Sequence, residues 1–179
     1  LFSGAVIGRG IRGVSVIYAA RVLGAAEYGV FSYAMAIAGF VTIFSDLGIS
    51  AILTRESVKD PTVRQQYFST SLAIKSVFIL INTAIILGLV PLITRIDGAL
   101  PLLPLVAVML VFETIREFGF GVFRALERME LEAGVKILTN VAIAGLGLLF
   151  IWISATAHSL AIGYLFGAGV GFLGTVILL

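Results

Sequence analysis

The chain has 179 residues, 60% of them hydrophobic and 12% charged, and a mean hydropathy of +1.13. Soluble domains run about 45–50% apolar and about 25% charged, and a chain of this size cannot hide the excess from water, so the composition excludes a soluble globular domain. The net charge of +2 excludes a large basic face for nucleic acid, and the absence of cysteine, with a single histidine at His158, excludes disulfide, thiol and His-cluster metal chemistry.

A membrane-spanning helix needs about 20 mostly apolar residues, and six such segments follow one another. The first, about Ala5–Leu23, carries Arg9 and Arg12. A cleaved signal peptide is the competing reading there, but five more apolar segments follow and the two arginines sit late for its basic region. Gly8-Arg-Gly10-Ile-Arg-Gly13 reads GxGxxG, yet no strand precedes it, so a dinucleotide site is dismissed. The second segment is about Val30–Leu53, with Asp46 inside, and the third about Tyr67–Thr94, with Lys75 near its start. The fourth, about Ala99–Phe123, holds Glu113, Arg116 and Glu117 in its second half. The fifth is about Val135–Ile153 and the sixth about Leu160–Leu179.

These runs are longer than barrel strands and apolar on both parities, which favours helices. The expected fold is an all-α membrane protein, a bundle of six transmembrane helices. Gly145, Gly147, Gly167, Gly169 and Gly171 are expected to let helices approach closely. The links are short: Gly24–Gly29, Thr54–Gln66, Arg95–Gly98, Arg124–Gly134 and Ser154–Ser159. In the second of them Pro61 fits the first turn of an interfacial helix. Beginning at Leu1 and ending in an apolar run, the chain is expected to be part of a longer protein.

Basic residues in short links set orientation. The second and fourth links carry or border Arg55, Lys59, Arg64, Arg124, Arg128 and Lys136, whereas the others have only Arg21 and Arg95. Links two and four, and with them the N-terminus, are therefore expected in the cytoplasm. Trp152, Tyr18 and Tyr164 read as interfacial anchors or packing groups, and His158 as a surface residue.

Seven ionisable residues fall inside these segments: Arg9, Arg12, Asp46, Lys75, Glu113, Arg116 and Glu117. A central charge costs roughly 2.5 to 3.5 kcal/mol on insertion scales, so seven facing lipid would cost on the order of 20 kcal/mol. They must pair, reach the interface or line a wet cavity. Glu113 and Arg116 are spaced for an ion pair, and Asp46 and Lys75 are near enough to an interface to snorkel. Arg9 and Arg12 share one helical face and have no acidic partner on their own segment. Their forked guanidinium groups suit a phosphate.

The stretch Ala20-Arg-Val-Leu-Gly-Ala-Ala-Glu-Tyr-Gly-Val-Phe-Ser-Tyr33 resembles the "ARLLGPEEYGLFS" signature of polysaccharide-biosynthesis flippases. Phe44-Ser-Asp-Leu-Gly-Ile-Ser50 followed by Leu53-Thr-Arg-Glu56 is similar to the same family's "ADLGLS…LVRE" pattern, and Phe123-Arg-Ala-Leu-Glu-Arg-Met129 to its looser "RGLGRM" segment. That family belongs to the multidrug/oligosaccharidyl-lipid/polysaccharide exporter superfamily, whose members have two lobes. The resemblance implies that residues 1–179 are the N-terminal lobe of a two-lobe transporter, with a C-terminal lobe elsewhere in the full-length chain. It implies no enzyme and no cofactor. The activity implied is the flipping of a polyprenyl-pyrophosphate-linked oligosaccharide across the cytoplasmic membrane, for lipopolysaccharide O-antigen, capsule or a similar surface glycan.

Related lipid II flippases carry a functional arginine twelve residues before the one closing the first helix, and Arg9 stands twelve before Arg21. Their second arginine falls where this chain has Ser15, with Arg12 on a neighbouring face. The resemblance matches Arg9, and the position of the charges adds Arg12 and Arg116 as substrate-binding candidates and leaves Asp46, Lys75, Glu113 and Glu117 as cavity or coupling residues. A drug or cation antiporter of the same superfamily is the alternative. A membrane glycosyltransferase or polymerase is less favoured, because the outer links leave little room for a catalytic centre.

Overall fold

The computed structural model describes the backbone of residues 2–46 and 64–179, with Ile52 and Arg55, and, beyond the backbone, Gly10, Gly13 to Ile43, Ile52, Arg55 and Gln65 onward except Asp97. Among these residues the fold is all helical. The expected interfacial helix at Pro61 lies outside them. Helix α1 spans Phe2–Asp46, α2 Arg64–Ala84, α3 Leu103–Ala125, α4 Met129–Ile153 and α5 Ala157–Leu178. Five helical stretches are long and apolar enough to cross a membrane. Large apolar side chains such as Leu92 and Trp152 lie open on the outside, 82% and 86% exposed, as lipid-facing groups do.

The first of these helices is two arms rather than one rod. They meet at Gly24, whose φ of 76° and ψ of 172° lie outside the helical region. That φ is one only glycine adopts freely. Ser15 and Ala19 before the kink border a small void with Gly147, Leu160 and Tyr164. Phe31 after it meets the same Tyr164 ring edge-on, with centroids 5.0 Å apart at 69°. Along a straight helix Ser15 and Phe31 would stand about 24 Å apart, too far for one tyrosine to touch both neighbourhoods, so the chain reverses direction at Gly24. The link expected over Gly24–Gly29 is thus a single residue, and helix resumes at Ala25. Tyr164, expected as an anchor or a packing group, is a packing group.

The reversal is tied to the far end of the chain. A carboxylate oxygen of Glu27 accepts a hydrogen bond of 2.7 Å from the N–H of Ala157, the first residue of α5. That donor has no partner within its own helix, and a negative charge suits the positive end of the helix dipole. Thr156 completes the cap by accepting from the Ser159 N–H at 3.2 Å. Glu27→Ala is expected to cost about 0.5–1 kcal/mol, the lower part of the range for a lost cap because Glu27 is exposed. Thermal unfolding of the detergent-solubilised protein should register this as a fall of a few degrees, and an unchanged midpoint would show the contact to be idle.

Helix α2 continues through a π-helical stretch, Ile85–Leu89, and a last turn, Val90–Ile93. Pro91 accounts for the wider turn: it has no N–H to donate and its ring would strike the carbonyl four residues back. Helices α4 and α5 pack most closely of all. A Cβ on Gly163 would lie 2.7 Å from the Gly147 Cα, and one on Gly167 2.5 Å from the Ile143 Cα. Gly171 presses on Thr139 in the same way, one turn further on. Gly145 faces open space and Gly169 makes ordinary contact with Phe112.

Helix α4 starts at Met129, earlier than the expected Val135, after a turn in which Glu127 takes a φ of 59°. Glu130 and Glu132 in its first turn favour that start through the dipole. The consequence reaches the site, because Glu132 becomes a helical position, one turn before Lys136, rather than a link residue.

Candidate functional site

A cavity of about 610 Å³ opens between the second arm of α1, helices α3 and α4, and Tyr164 of α5. Val16 of the first arm also borders it. One end of the cavity is charged. From α3 come Glu113 and Arg116, and from α4 comes Lys136. Arg116 is 9% exposed and ion-paired to Glu113, the pair that the spacing of three predicts. Its Nε is buried without a hydrogen-bond partner among the described residues.

Behind the cavity wall sits Phe120, fully buried. The Arg116 guanidinium lies 5.6 Å from its ring centre and the Lys136 ammonium 5.1 Å, both within cation–π range. Lys136 is also paired to Glu132, and Glu132 accepts from Arg124 Nε at 2.7 Å. Glu117, half-buried, is within electrostatic reach of Arg116, Lys136 and Arg124. This cluster, reaching from Glu113 through Phe120 to Arg124, fixes the register of α3 against α4 at the charged end. Its described members are three basic and three acidic side chains, so the cluster is charge-balanced as far as these residues go.

The structure thus brings Glu113 and Arg116 into the cavity wall, with Glu117 in the same cluster. Lys75 lies on α2, outside that wall. It is 2% exposed and engaged within the protein, so it does not snorkel to water as its position near the segment start led one to expect. The backbone of Arg9, Arg12 and Asp46 belongs to α1, and their side chains lie outside the described residues. Three polar residues of the cavity, Lys136, Asn140 and Ser32, escaped the sequence reading. Lys136, at the start of the fifth segment, reads as a charge bordering a link, and an isolated Asn or Ser in an apolar segment carries no signal without knowing which face is inward. Among the described residues no group of three or more His, Asp or Glu is placed to hold a metal ion.

A multi-pass, all-α membrane protein with a charged cavity among its helices is the class these features define. The chain belongs to the polysaccharide biosynthesis protein family, whose profile matches residues 1–179. No curated protein and no solved structure matches the chain.

Proposed function

We propose that the protein flips a polyprenyl-pyrophosphate-linked oligosaccharide from the inner to the outer leaflet of the cytoplasmic membrane, for surface-glycan assembly, and catalyses no covalent step. The observation that carries this reading is the charged cavity inside the apolar helices of a chain from this family. Charges at that depth are costly unless a wet path or a charged ligand requires them. A polar glycan needs such a path, while its lipid tail can remain in the bilayer.

In this reading the two arms of α1 and the four later helices are six spans, the N-terminal lobe of a two-lobe carrier. The two lobes rock about the substrate to expose it on alternate sides. The basic residues gathered at the end away from Gly24, among them Arg124 and Arg128, support a cytoplasmic N-terminus. Arg9 and Arg12 precede Val16, which borders the cavity, by seven and four residues on a helical backbone. That spacing gives all three one face. With Arg116 they are the proposed pyrophosphate ligands.

In the full-length protein, Arg9→Ala is expected to reach the membrane normally and to lower surface-glycan display about tenfold or more, the worth of a charge-assisted hydrogen bond. Normal display by that variant would remove Arg9 from the mechanism. Glu117 favours a second reading, a drug or cation antiporter, because it is half-buried beside Glu113 with no hydrogen bond among the described residues. Deletion of the full-length gene separates the two, since a flippase predicts loss of a surface polysaccharide and an antiporter predicts drug or cation sensitivity. A glycosyltransferase or polymerase is disfavoured by the tight reversal at Gly24 and the brief turn around Ser154.

A further inference from the structure

The charged end of the cavity holds Arg116 and Lys136, each ion-paired to a glutamate, but the rest of its wall has a different chemistry. Asn140 stands one helical turn beyond Lys136, about 6 Å along α4, and borders the cavity. Its amide makes no hydrogen bond within the protein among the described residues. Ser32, on the second arm of α1, borders the same cavity with its hydroxyl likewise unengaged. Further toward Gly24 the wall becomes aromatic. Tyr28 and Phe31 lie with ring centres 6.2 Å apart, and Phe31 and Tyr164 with theirs 5.0 Å apart. From its charged end toward Gly24 the cavity wall therefore passes from paired charges, through an amide and a hydroxyl, to aromatic rings.

That order matches a glycosyl pyrophosphate read from its phosphate end. A sugar presents hydroxyl or acetamido groups that both donate and accept, which one amide can answer on both counts. Its C–H faces lie well against aromatic rings. We infer that Asn140 is a specificity-determining residue that binds the sugar joined directly to the pyrophosphate, with Ser32 as a second polar contact and the chain of sugars extending toward Gly24. The inference rests on the flippase reading and adds to it a direction for the ligand and a residue that selects it. A ligand lacking the matching group would leave the amide desolvated and unpaired, and such sites reject strongly.

The test uses the full-length protein purified in lipid nanodiscs and three short-chain probes: citronellyl pyrophosphate, and the same compound carrying glucose or N-acetylglucosamine. The wild type is expected to bind one glycosylated probe about tenfold more tightly than the bare one. In Asn140→Leu that advantage should shrink to within about twofold while affinity for bare citronellyl pyrophosphate is unchanged, as for loss of one neutral hydrogen-bonding group. Arg116→Gln should weaken all three probes together. Ser32→Ala, a smaller change, should reduce the same advantage in part and covers the case in which Asn140→Leu fails to fold. An advantage that survives in Asn140→Leu overturns the inference, as does an equal loss for the bare probe. A wild type that binds all three probes alike overturns it too, yet leaves the pyrophosphate reading standing. A wild type that binds none of them overturns both.

Discussion

Arg116→Gln in the full-length protein is expected to cut surface-glycan display by about one to two orders of magnitude, and adding Glu113→Gln is expected not to restore it. The size follows from a charge-assisted hydrogen bond, worth about 1.5–3 kcal/mol, at roughly 1.4 kcal/mol per tenfold. The double variant decides what the arginine is for. Arg116 is almost wholly buried and paired with Glu113, so a purely structural role would be to neutralise that carboxylate. Neutralising Glu113 by substitution would then make the arginine dispensable. If Arg116 also meets the ligand's anion, the double variant stays inactive. Recovery of display in the double variant, at matched membrane levels, would reduce Arg116 to a structural counter-ion.

Gly167→Ala is expected to be among the most disruptive single-methyl changes outside the charged cluster. Its new Cβ would lie 2.5 Å from the Ile143 Cα and 2.7 Å from the Ile143 N. Both are backbone atoms, which no rotamer change can move aside. The helices must separate, and overpacking of this kind costs about 1–3 kcal/mol. For a chain of this length that lowers the thermal midpoint by roughly 2–4 °C per kcal/mol. Gly145→Ala is the control: nothing lies within 4 Å of its added Cβ, and alanine is the better helix former by up to about 1 kcal/mol. The midpoint should fall for the first and hold or rise for the second. Equal effects at the two sites would mean that α4 and α5 are not held by the glycine face.

This contrast also measures how far the sequence could be read. Hydropathy located the five long apolar stretches of the described residues, reading the first of them as two segments, because lipid demands long apolar runs whatever the fold. The three-residue spacing of Glu113 and Arg116 foretold their ion pair, because neighbours on one helix are fixed by its pitch. Relations between helices were not legible. Gly145 and Gly147 look alike in sequence, yet only Gly147 meets α5, because orientation about the helix axis is set by the partner. Glu132 read as a link residue because hydropathy fades there and at Glu130, where the helix itself has already started on favourable dipole interactions. The expected link at Gly24–Gly29 shrank to one glycine, since backbone reversal leaves little trace in composition. The contact between Glu27 and Ala157 spans 130 positions, and no local pattern announces it.

The balanced charges around Phe120 bear on energetics of a different kind. Carrying one elementary charge through a potential of 100 mV takes about 2.3 kcal/mol, so a carrier that moved a bare arginine with each change of access would have its empty return stroke sped or stalled by the cell's voltage. The described members of this cluster, Arg116, Lys136 and Arg124 with Glu113, Glu117 and Glu132, carry formal charges that cancel. For these groups the unloaded stroke of the proposed carrier would move no net charge, and the field would act only on the negative charge of the proposed cargo.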